Sequence, residues 1–336
     1  MIKKIELKKF TVFEDLALEF TDGINVLVGE NAVGKTHVMK VMYSAMSSVG
    51  ADASSLLQKI NGVFRPDAIH RLIHRQQGNL GTASLRVTRQ DPDSQERYVR
   101  VEINRSGAKC FNMQQWSKGE RCNVAFLPVK DMLANAPGFI SAYNERISFF
   151  EEIYPDIVSK ALLMPLKGHS TSEKKALFAY IQDIIGGTVI ESKEHFYLKS
   201  DSGKLEFSLL AEGYRKLGLI YTLIQNGTLS KGGVVFWDEP EANLNPKLAK
   251  DVAKLIVMLN KFGVQVFIAT HDYLFAKELE YAVRQENREE LLNYYSFYSE
   301  SESIKVEKKS KLSDLEHCAI NEAYDQMLVK SLLSSM

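Results

Sequence analysis

The chain has 336 residues, of which 45% are hydrophobic and 25% charged, and its 42 Lys/Arg balance its 42 Asp/Glu. This composition is typical of a globular protein with a large core, and the charge balance gives the whole chain no attraction to nucleic acid or to acidic surfaces. The three cysteines lack C-x-x-C spacing, which argues against a zinc site and indicates a reducing compartment. Residues 1–20 contain no continuous apolar segment, so we expect a cytoplasmic protein with no membrane anchor.

The first strand–loop–helix unit contains a phosphate-binding pattern. Residues 2–8 and 16–20 alternate apolar and polar side chains and predict two antiparallel strands, and residues 24–28 predict a buried strand. A helix is expected from Thr36 to Met46. Between strand and helix the sequence fits G-x-x-x-x-G-K-[ST], a loop whose backbone N–H groups cradle phosphates. The residues expected to bind the nucleotide are Gly29, Glu30, Asn31, Ala32, Val33, Gly34, Lys35, Thr36 and His37.

Two residues of this loop have specific expected roles. Lys35 can reach the β- and γ-phosphates of ATP, and the Thr36 hydroxyl is a ligand for Mg²⁺. ATP and Mg²⁺ are therefore the expected cofactors.

Residues 51–122 carry 12 Lys/Arg and 7 Asp/Glu, a net charge of +5. Residues 83–87 and 98–103 predict a hairpin at the edge of a sheet. Two interpretations of the basic excess stay open, a surface that faces nucleic acid and a solvated basic face. The arginines concerned are Arg65, Arg71, Arg75, Arg86, Arg89, Arg97, Arg100 and Arg105.

The middle of the chain predicts a helical lobe followed by short strands. Residues 123–128 indicate a buried strand, and residues 132–167 and 171–185 have helical periodicity. Short antiparallel strands are expected at residues 188–191, 195–198 and 205–209. A helix from Glu212 to Gln225 follows, and we expect its N-terminus to be exposed behind a glycine, where it can bind an anion.

Two later strands end in polar residues. Residues 234–237 are apolar and lead into Asp238 and Glu239, at the edge where open α/β sheets bind ligands. Asp238 suits Mg²⁺, and Glu239 is the candidate general base that accepts a proton from the attacking water. The strand at residues 264–270 leads into His271, which we expect to contact the γ-phosphate or the attacking water.

In their order along the chain these motifs resemble those of ABC-class ATPases, and the branch is similar to the stand-alone AAA-type proteins related to the ATPase domains of OLD, RecF and SMC proteins. The resemblance implies an α/β P-loop NTPase of ABC head type, with a mixed sheet, an antiparallel N-terminal β subdomain and a helical insertion. It implies a single ATPase domain over residues 1–336, with an inserted basic region at about 51–122 and a helical lobe at about 132–186. The motifs are at residues 2–10, 29–36, 210–216, 234–245 and 269–271.

The resemblance also implies a homodimer that closes around ATP. Gly213 and the helix that it opens would contact the γ-phosphate held by the partner head, and residues 241–245 would lie at the interface. The chain departs from the family pattern at Ala211, where a serine is usual, and at Asn245, where an aspartate or histidine is usual. Lys130 and Asp131 occupy the polar positions nearest to the usual metal-sensing glutamine.

After His271 there are 65 residues (336 − 271), which predict a hairpin at 292–297 and 303–307 and a helix from Ser313. They show no carboxylate cluster of a nuclease domain and no heptad run of a coiled coil. We therefore expect an ATPase that controls a separately encoded effector, a nuclease or toxin, as similar proteins do in anti-phage and toxin–antitoxin operons. Two alternatives stay open, a nucleotide sensor with little turnover and a RecF-like DNA repair ATPase.

Overall fold

The computed structural model describes residues 1–74, 81–119, 121–145, 149–168, 171–301 and 303–334. Its strands are β1 (Ile2–Phe10), β2 (Phe13–Glu19), β3 (Ile24–Gly29), β4 (Ala83–Gln90), β5 (Glu96–Asn104), β6 (Gly107–Phe111), β7 (Val124–Leu127), β8 (Thr188–Ser192), β9 (His195–Ser200), β10 (Gly203–Glu206), β11 (Val234–Asp238), β12 (Gln265–Thr270), β13 (Leu292–Glu300) and β14 (Ser303–Lys309). Its helices are α1 (Lys35–Ser47), α2 (Ala53–Phe64), α3 (Met113–Trp116), α4 (Phe139–Asn144), α5 (Ile153–Ala161), α6 (Ser172–Ile185), α7 (Glu212–Gln225), α8 (Pro246–Lys261), α9 (Tyr273–Gln285) and α10 (Ala319–Ser334).

A six-stranded sheet in the order β14-β13-β3-β12-β11-β7 organises the molecule. Its neighbours are parallel except for β13 and β14, which form an antiparallel hairpin. The chain is therefore an α/β protein with a mixed sheet, as predicted. Because β3, β12 and β11 are parallel neighbours, the residues that follow all three strands meet at one edge of the sheet.

Both faces of this sheet are buried. Along β12, Val266 and Ile268 pack among the helices α5 to α9, whereas Phe267 and Ala269 point to the opposite face, toward α1. This two-sided burial is typical of parallel strands, and it explains the continuous apolar runs in the sequence.

A five-stranded antiparallel sheet, β2-β1-β4-β5-β6, covers α1 from the other side and confirms the predicted N-terminal β subdomain. The prediction that the hairpin at 83–103 lies at a sheet edge was wrong. β4 is the middle strand and pairs with both β1 and β5. The reason is burial, since Ala83, Leu85 and Val87 turn their side chains into the same core as α1.

The region of helical periodicity over 132–167 is divided into short elements in the structure. The described part of this range contains a 3₁₀ turn at Leu133–Asn135 and the short helices α4 and α5. Pro137 and Gly138 interrupt the helical pattern, because proline cannot continue a helix and Gly138 adopts φ 70°. Two further boundaries differ: a 3₁₀ turn replaces the strand at 207–209, where Phe207 turns inward, and α10 starts at Ala319 rather than Ser313.

The helical lobe is otherwise as expected. α6 begins and ends within a residue of its predicted bounds, with Thr171 accepting a hydrogen bond from Lys174 N at its start. The three-stranded sheet β10-β9-β8 follows it. Within the described ranges no helix is both long and apolar enough to cross a membrane.

Gln265 joins the two sheets. This fully buried side chain on β12 accepts a hydrogen bond from Ile2 N and donates to Ile2 O, both at 2.8 Å, and it donates to Thr21 O at 2.7 Å. It therefore satisfies three backbone groups, of which the N–H and carbonyl of Ile2 are bonded in the buried interior.

We expect Gln265→Leu to lower the free energy of unfolding by at least about 2 kcal/mol, because each buried backbone group left without a partner costs roughly 1–3 kcal/mol. Urea unfolding followed by circular dichroism measures the change. The control is Gln285→Leu at the exposed end of α9. Equal stabilities of the two variants would contradict the bridging role.

Candidate functional site

Two glycines shape the phosphate loop between β3 and α1. Gly29 has φ 140° and Gly34 has φ 93°, which are conformations that glycine adopts readily. A Cβ on Gly29 would stand 2.4 Å from Phe297 O, and one on Gly34 would stand 2.5 Å from the Phe13 ring. No larger residue fits either position. The loop can therefore pass close to a ligand with its backbone exposed.

The other loop residues differ in what they expose. Glu30, Asn31 and Ala32 are exposed, while the Val33 side chain is buried in the core, so that only its backbone can face a ligand. Ala32 has φ 66°, a left-handed conformation that is uncommon for alanine. The loop thus combines an anchored side chain with a strained, exposed backbone.

Lys35 lies at the mouth of this loop. Its Nζ donates hydrogen bonds to Gly29 O and Glu30 O, both at 2.7 Å, and the residue is only 8% exposed. Burial lowers the pKa of Lys35, and the carboxylates of Asp238 and Glu239 oppose that shift. A cation is therefore held beside the exposed loop backbone.

The first predicted metal ligand contacts the second. Thr36 Oγ1 donates to the Asp238 carboxylate, at 3.1 Å from Oδ2 and 3.2 Å from Oδ1. Burial raises the pKa of Asp238 to about 6, and the Thr36 hydrogen bond opposes this. A hydroxyl beside one carboxylate suits Mg²⁺, which binds proteins through one or two carboxylates and completes its shell with phosphate oxygens and water. Groups of three or more His, Cys, Asp or Glu able to hold a metal do not occur within the described residues.

Glu239 and His271 come together at the ends of β11 and β12. Glu239 N donates to Ala269 O at 2.9 Å, and Glu239 itself adopts φ 47°. This backbone turn directs the side chain toward the next strand, where Glu239 Oε1 lies 3.2 Å from His271 Nδ1. Both side chains are partly exposed, so water can reach the pair. The arrangement provides a proton acceptor held by an imidazole.

Glu241 was expected only as part of an interface loop, but its carboxylate also contacts β12. It accepts a hydrogen bond from Thr270 Oγ1 at 2.5 Å, and burial raises its pKa to about 7. The loop after β11 is therefore tied to β12 by the Glu241 side chain as well as by the Glu239 backbone.

Lys216 on α7 also lies at the site, and the sequence motifs did not identify it as a functional residue. Its Nζ donates to Ala242 O at 2.6 Å and lies 3.5 Å from Glu239 O, and the residue is 5% exposed. A signal existed, since Lys216 stands three residues after Gly213 and four before Ile220, on the buried stripe of a helix where an apolar residue is usual.

The N-terminus of α7 is exposed at Ala211, as expected, whereas Gly213 itself lies beneath neighbouring side chains. Gly213 is buried, and a Cβ there would stand 2.8 Å from Leu244 Cδ2 and 3.1 Å from Leu248 Cδ1 of the same chain. A glycine suits this position because the backbone packs closely against the loop after β11 and against α8. Ala211 is exposed and immediately precedes the helix, so it is the residue that a ligand would meet.

The other departures from the family pattern have structural roles. Asn245 caps α8, with its side chain accepting from Lys247 N at 3.0 Å. Asp131, near the expected metal-sensing position, is buried and pairs with Arg215 Nε at 3.0 Å. Burial raises the pKa of Asp131. Asp131 thus connects the segment after β7 to α7 instead of reaching Thr36.

The phosphate loop lies between two open cavities. One, of about 590 Å³, is lined by Ala32 and His37, by the β1–β2 turn and by residues around the 3₁₀ turn at Ile69–Leu72. Its other lining residues are Thr11, Val12, Phe64, Pro66, Arg71, Leu72, Ile73, His74 and Ile304. The other, of about 500 Å³, is lined by Gly29, Glu30 and Asn31 together with His271 to Leu274 and α10 residues Ala319, Ile320, Ala323, Tyr324 and Met327. A ligand along the loop would reach both cavities.

A pair of aromatic rings lies at each end of this loop. The His37 ring lies 5.6 Å from that of Phe64, and burial together with Lys40 lowers its pKa to about 4, so His37 is neutral at pH 7. At the other end Tyr324 of α10 stacks on Tyr273 at 4.1 Å. α10 therefore borders the cavity that contains His271.

Most of the arginines expected on a basic face have acidic partners. Arg71 pairs with Asp67, Arg86 with Glu6 and Arg100 with Glu102. Arg89 and Arg97 both pair with Asp91, and Arg75 lies outside the described residues. Five of the eight arginines are thus paired with carboxylates of this chain, although the net charge of residues 51–122 already counts all of these acidic partners except Glu6.

Comparisons with known proteins agree with this architecture. Residues 133–276 match the family model described as "AAA domain, putative AbiEii toxin, Type IV TA system". The DNA replication and repair proteins RecF of Bacillus cytotoxicus and Pediococcus pentosaceus are each 50% identical over 42 residues, which is 12% of this chain and 11% of theirs. The chain thus matches only about a tenth of those curated relatives.

Solved SMC head domains have the same fold. The SMC head domain from Thermotoga maritima aligns with a TM-score of 0.52 and 13% identity, over 92% of this chain and 98% of that chain. An Smc head bound to the C-winged helix domain of ScpA aligns with a TM-score of 0.57 and 15% identity, over 93% and 98%. The chain therefore has the fold of SMC head P-loop ATPase domains, and residues 133–276 match an AAA-domain family model.

The raised pKa of Glu241 predicts a dependence of stability on pH. The folded protein keeps a proton on Glu241 up to a pKa of about 7, whereas the unfolded carboxyl has a pKa of 4.5. The folded state binds more protons in this interval, so the Glu241 contribution to the free energy of unfolding falls as pH rises from 4.5 to about 7.

We expect Glu241→Gln to remove this fall, which amounts to at most about 3 kcal/mol because one pKa unit corresponds to 1.36 kcal/mol. Urea unfolding of the nucleotide-free protein at steps across that pH interval measures it, with the exposed Glu290→Gln as the control. If Glu241→Gln and the parent have the same slope against pH, Glu241 does not titrate in this range.

Proposed function

We propose that the protein is an ATP-hydrolysing molecular switch that closes head to head with a second copy and controls a separately encoded effector, a nuclease or a toxin. The observation that carries the proposal is the Thr36–Asp238 contact beside the Glu239–His271 pair. These contacts bring the phosphate loop, a metal-binding carboxylate and a proton acceptor to one edge of the sheet. We treat residues 1–336 as a single ATPase domain.

The two cavities favour one direction for the nucleotide. The triphosphate would lie along the loop beside Lys35 toward His271, and the base would occupy the cavity lined by the β1–β2 turn and the segment from Arg71 to His74. A neutral His37 beside Phe64 suits the wall of a base or ribose site, because neither ring places a charge there. The predicted residues Glu30 and Asn31 lie on the γ-phosphate side.

Each residue of the site has a distinct role in the proposed reaction. Thr36 and Asp238 would hold Mg²⁺, which when bound neutralises charge on the β- and γ-phosphate oxygens. Lys35 places a cation against the same phosphates. Glu239 accepts the proton of the water that attacks the γ-phosphorus, as the bond from that phosphorus to the bridging oxygen breaks and ADP leaves. His271 holds the Glu239 carboxylate in its orientation.

We expect Glu239→Gln to bind ATP as the parent does and to lose turnover by about a hundredfold or more, the scale of a general-base contribution. Equilibrium titration with labelled ATP and a phosphate-release assay separate the two effects. Lys35→Ala is the matched control, since it should lose ATP binding itself. Normal turnover of Glu239→Gln, or normal ATP binding by Lys35→Ala, would contradict these assignments.

A dimer follows from the exposure of the site. One head leaves the γ-phosphate open to water on one side, where solvent weakens every electrostatic contact. The N-terminus of α7, with its unpaired backbone N–H groups, suits that place in a second copy. Ala211 offers no hydroxyl, so the backbone would make this contact alone.

We expect Glu239→Gln with ATP and Mg²⁺ to dimerise, and Ala211→Glu in the same background to return to monomer while it still binds ATP. Ala211 is the suitable position because it is exposed, whereas a side chain at Gly213 would strike Leu244 within its own head. Light scattering at several concentrations reports the mass. Ala211→Ser is the control and should dimerise at least as well as alanine. A monomer in every case would exclude closure through α7.

The effector part of the proposal rests on the family model, whose description includes a type IV toxin–antitoxin system. The thiols of Cys110, Cys122 and Cys318 are free, which suits the cytoplasmic location that we propose. A RecF-like repair function is less well supported, because the likeness covers 42 residues and five of the eight arginines have acidic partners. Sequencing the protein that co-purifies with the chain tests the effector directly.

A further inference from the structure

We propose that Lys216 is a positioning residue for ATP hydrolysis, which fixes the backbone that aims Glu239. The inference deepens the proposed function and rests on Glu239 as the general base. Lys216 itself does not contact the phosphate loop through any described hydrogen bond. It acts on the loop of residues 239–242 that follows β11.

The first argument is the choice of partners. Lys216 Nζ donates to the backbone oxygen of Ala242 at 2.6 Å, and the oxygen of Glu239 is 3.5 Å away. Within the described residues no ion pair joins this ammonium to a carboxylate. Burial lowers the pKa of Lys216, and Glu212 and Glu241 oppose that shift. The cation therefore holds main-chain groups and leaves the neighbouring carboxylates to other contacts.

The second argument is the cost of burial. A lysine that is 5% exposed loses most of its hydration, and an apolar residue of similar size is often the more stable choice at such a position. The surrounding stripe of α7 is apolar or small, including Gly213, Leu217 and Ile220. A charged residue here needs a reason other than core packing, and the two carbonyl groups supply one.

The third argument is the strain of the loop. Glu239 has φ 47°, which for a residue other than glycine costs of order 1–3 kcal/mol and persists only where the surroundings enforce it. Glu239 N is held by Ala269 O, and Glu239 O accepts from Ala242 N at 3.0 Å. Lys216 adds the remaining contacts. If φ at Glu239 returned to a negative value, the carboxylate would leave His271.

The role proposed for Lys216 affects the hydrolysis step and not the binding of ATP. ATP binding depends on Lys35 and the loop before α1, and none of the described hydrogen bonds of Lys216 goes to that loop. Turnover depends on where the Glu239 carboxylate points, and a misplacement of about 1 Å can cost on the order of a hundredfold. Loss of the Lys216 ammonium should therefore lower kcat and spare the Kd for ATP.

The test compares Lys216→Met with Lys247→Met. The control removes the same charge from an exposed lysine at the start of α8, close to the same loop. We expect Lys216→Met to lose roughly ten- to a hundredfold in kcat with the Kd for ATP changed by less than about threefold, and Lys247→Met to keep both. Equal kcat values for the two variants would overturn the proposal.

A double-mutant cycle shows whether the effect passes through Glu239. In the Glu239→Gln background Lys216→Met should cause no further loss of turnover, because the side chain that it positions is already inactive. A full additional loss would mean that Lys216 acts elsewhere, and the proposal would fall. Lys216→Arg keeps the cation and its donors and should retain more turnover than Lys216→Met. Thermal unfolding identifies a variant that fails to fold, in which case Lys216→Arg and Lys216→Gln take its place in the cycle.

The two levels of inference can fail separately. If Glu239→Gln keeps normal turnover, the assignment of the base is wrong and the positioning role falls with it. If Glu239→Gln loses turnover while Lys216→Met does not, the proposed function stands and only the role of Lys216 is rejected.

Discussion

The site depends on carboxylates that lie at a buried sheet edge without a lysine ion-pair partner among the described contacts. Asp238 and Glu241 have raised pKa values because burial removes them from water, and neither forms an ion pair with a lysine among the described contacts. The two nearby buried cations, Lys35 and Lys216, donate instead to backbone oxygens. Such ammonium groups offset the negative field at long range without occupying carboxylate oxygens. Asp238 and Glu241 each accept a hydrogen bond from a hydroxyl group, that of Thr36 and that of Thr270, and their remaining lone pairs can accept a metal ion or a proton.

This arrangement requires a rigid backbone, since carbonyl groups replace side chains as the partners of both lysines. The phosphate loop is held by glycine packing against Phe297 and Phe13. The loop after β11 is held by β12, through Ala269 O and the Thr270 hydroxyl. The phosphate loop therefore derives its shape from β13, a parallel neighbour of β3, and from β2 of the antiparallel sheet, whereas the loop after β11 depends on its parallel neighbour β12. A change of register in the six-stranded sheet would misplace the cations as well as the carboxylates.

Local patterns were sufficient to select the candidate site residues because each motif is a short, continuous segment. The phosphate loop and the acidic strand end each need only a buried strand and a fixed spacing, and the fold brings Thr36 and Asp238 together across 202 residues. The roles of the individual residues stay predictions. Packing between distant elements was harder to predict. The position of Gly213 under Leu244, and that of β4 between β1 and β5, depend on partners that no spacing reveals. The interruption at Pro137 and Gly138 could have been recognised, because the dipeptide is a strong helix breaker.

α7 is the element in which these contacts converge. Within one turn, Gly213 packs under Leu244, Arg215 pairs with Asp131 and Lys216 holds Ala242 O. These three residues join α7 to the start of α8, to the segment after β7 and to the loop of residues 239–242. Because the contacts are close and buried, α7 cannot shift by much without moving at least one of them. A second copy that docks on the exposed N-terminus of this helix at Ala211 would therefore press on the same framework that orients Glu239. The physical link between closure and hydrolysis would then lie inside each head, in a single turn of helix.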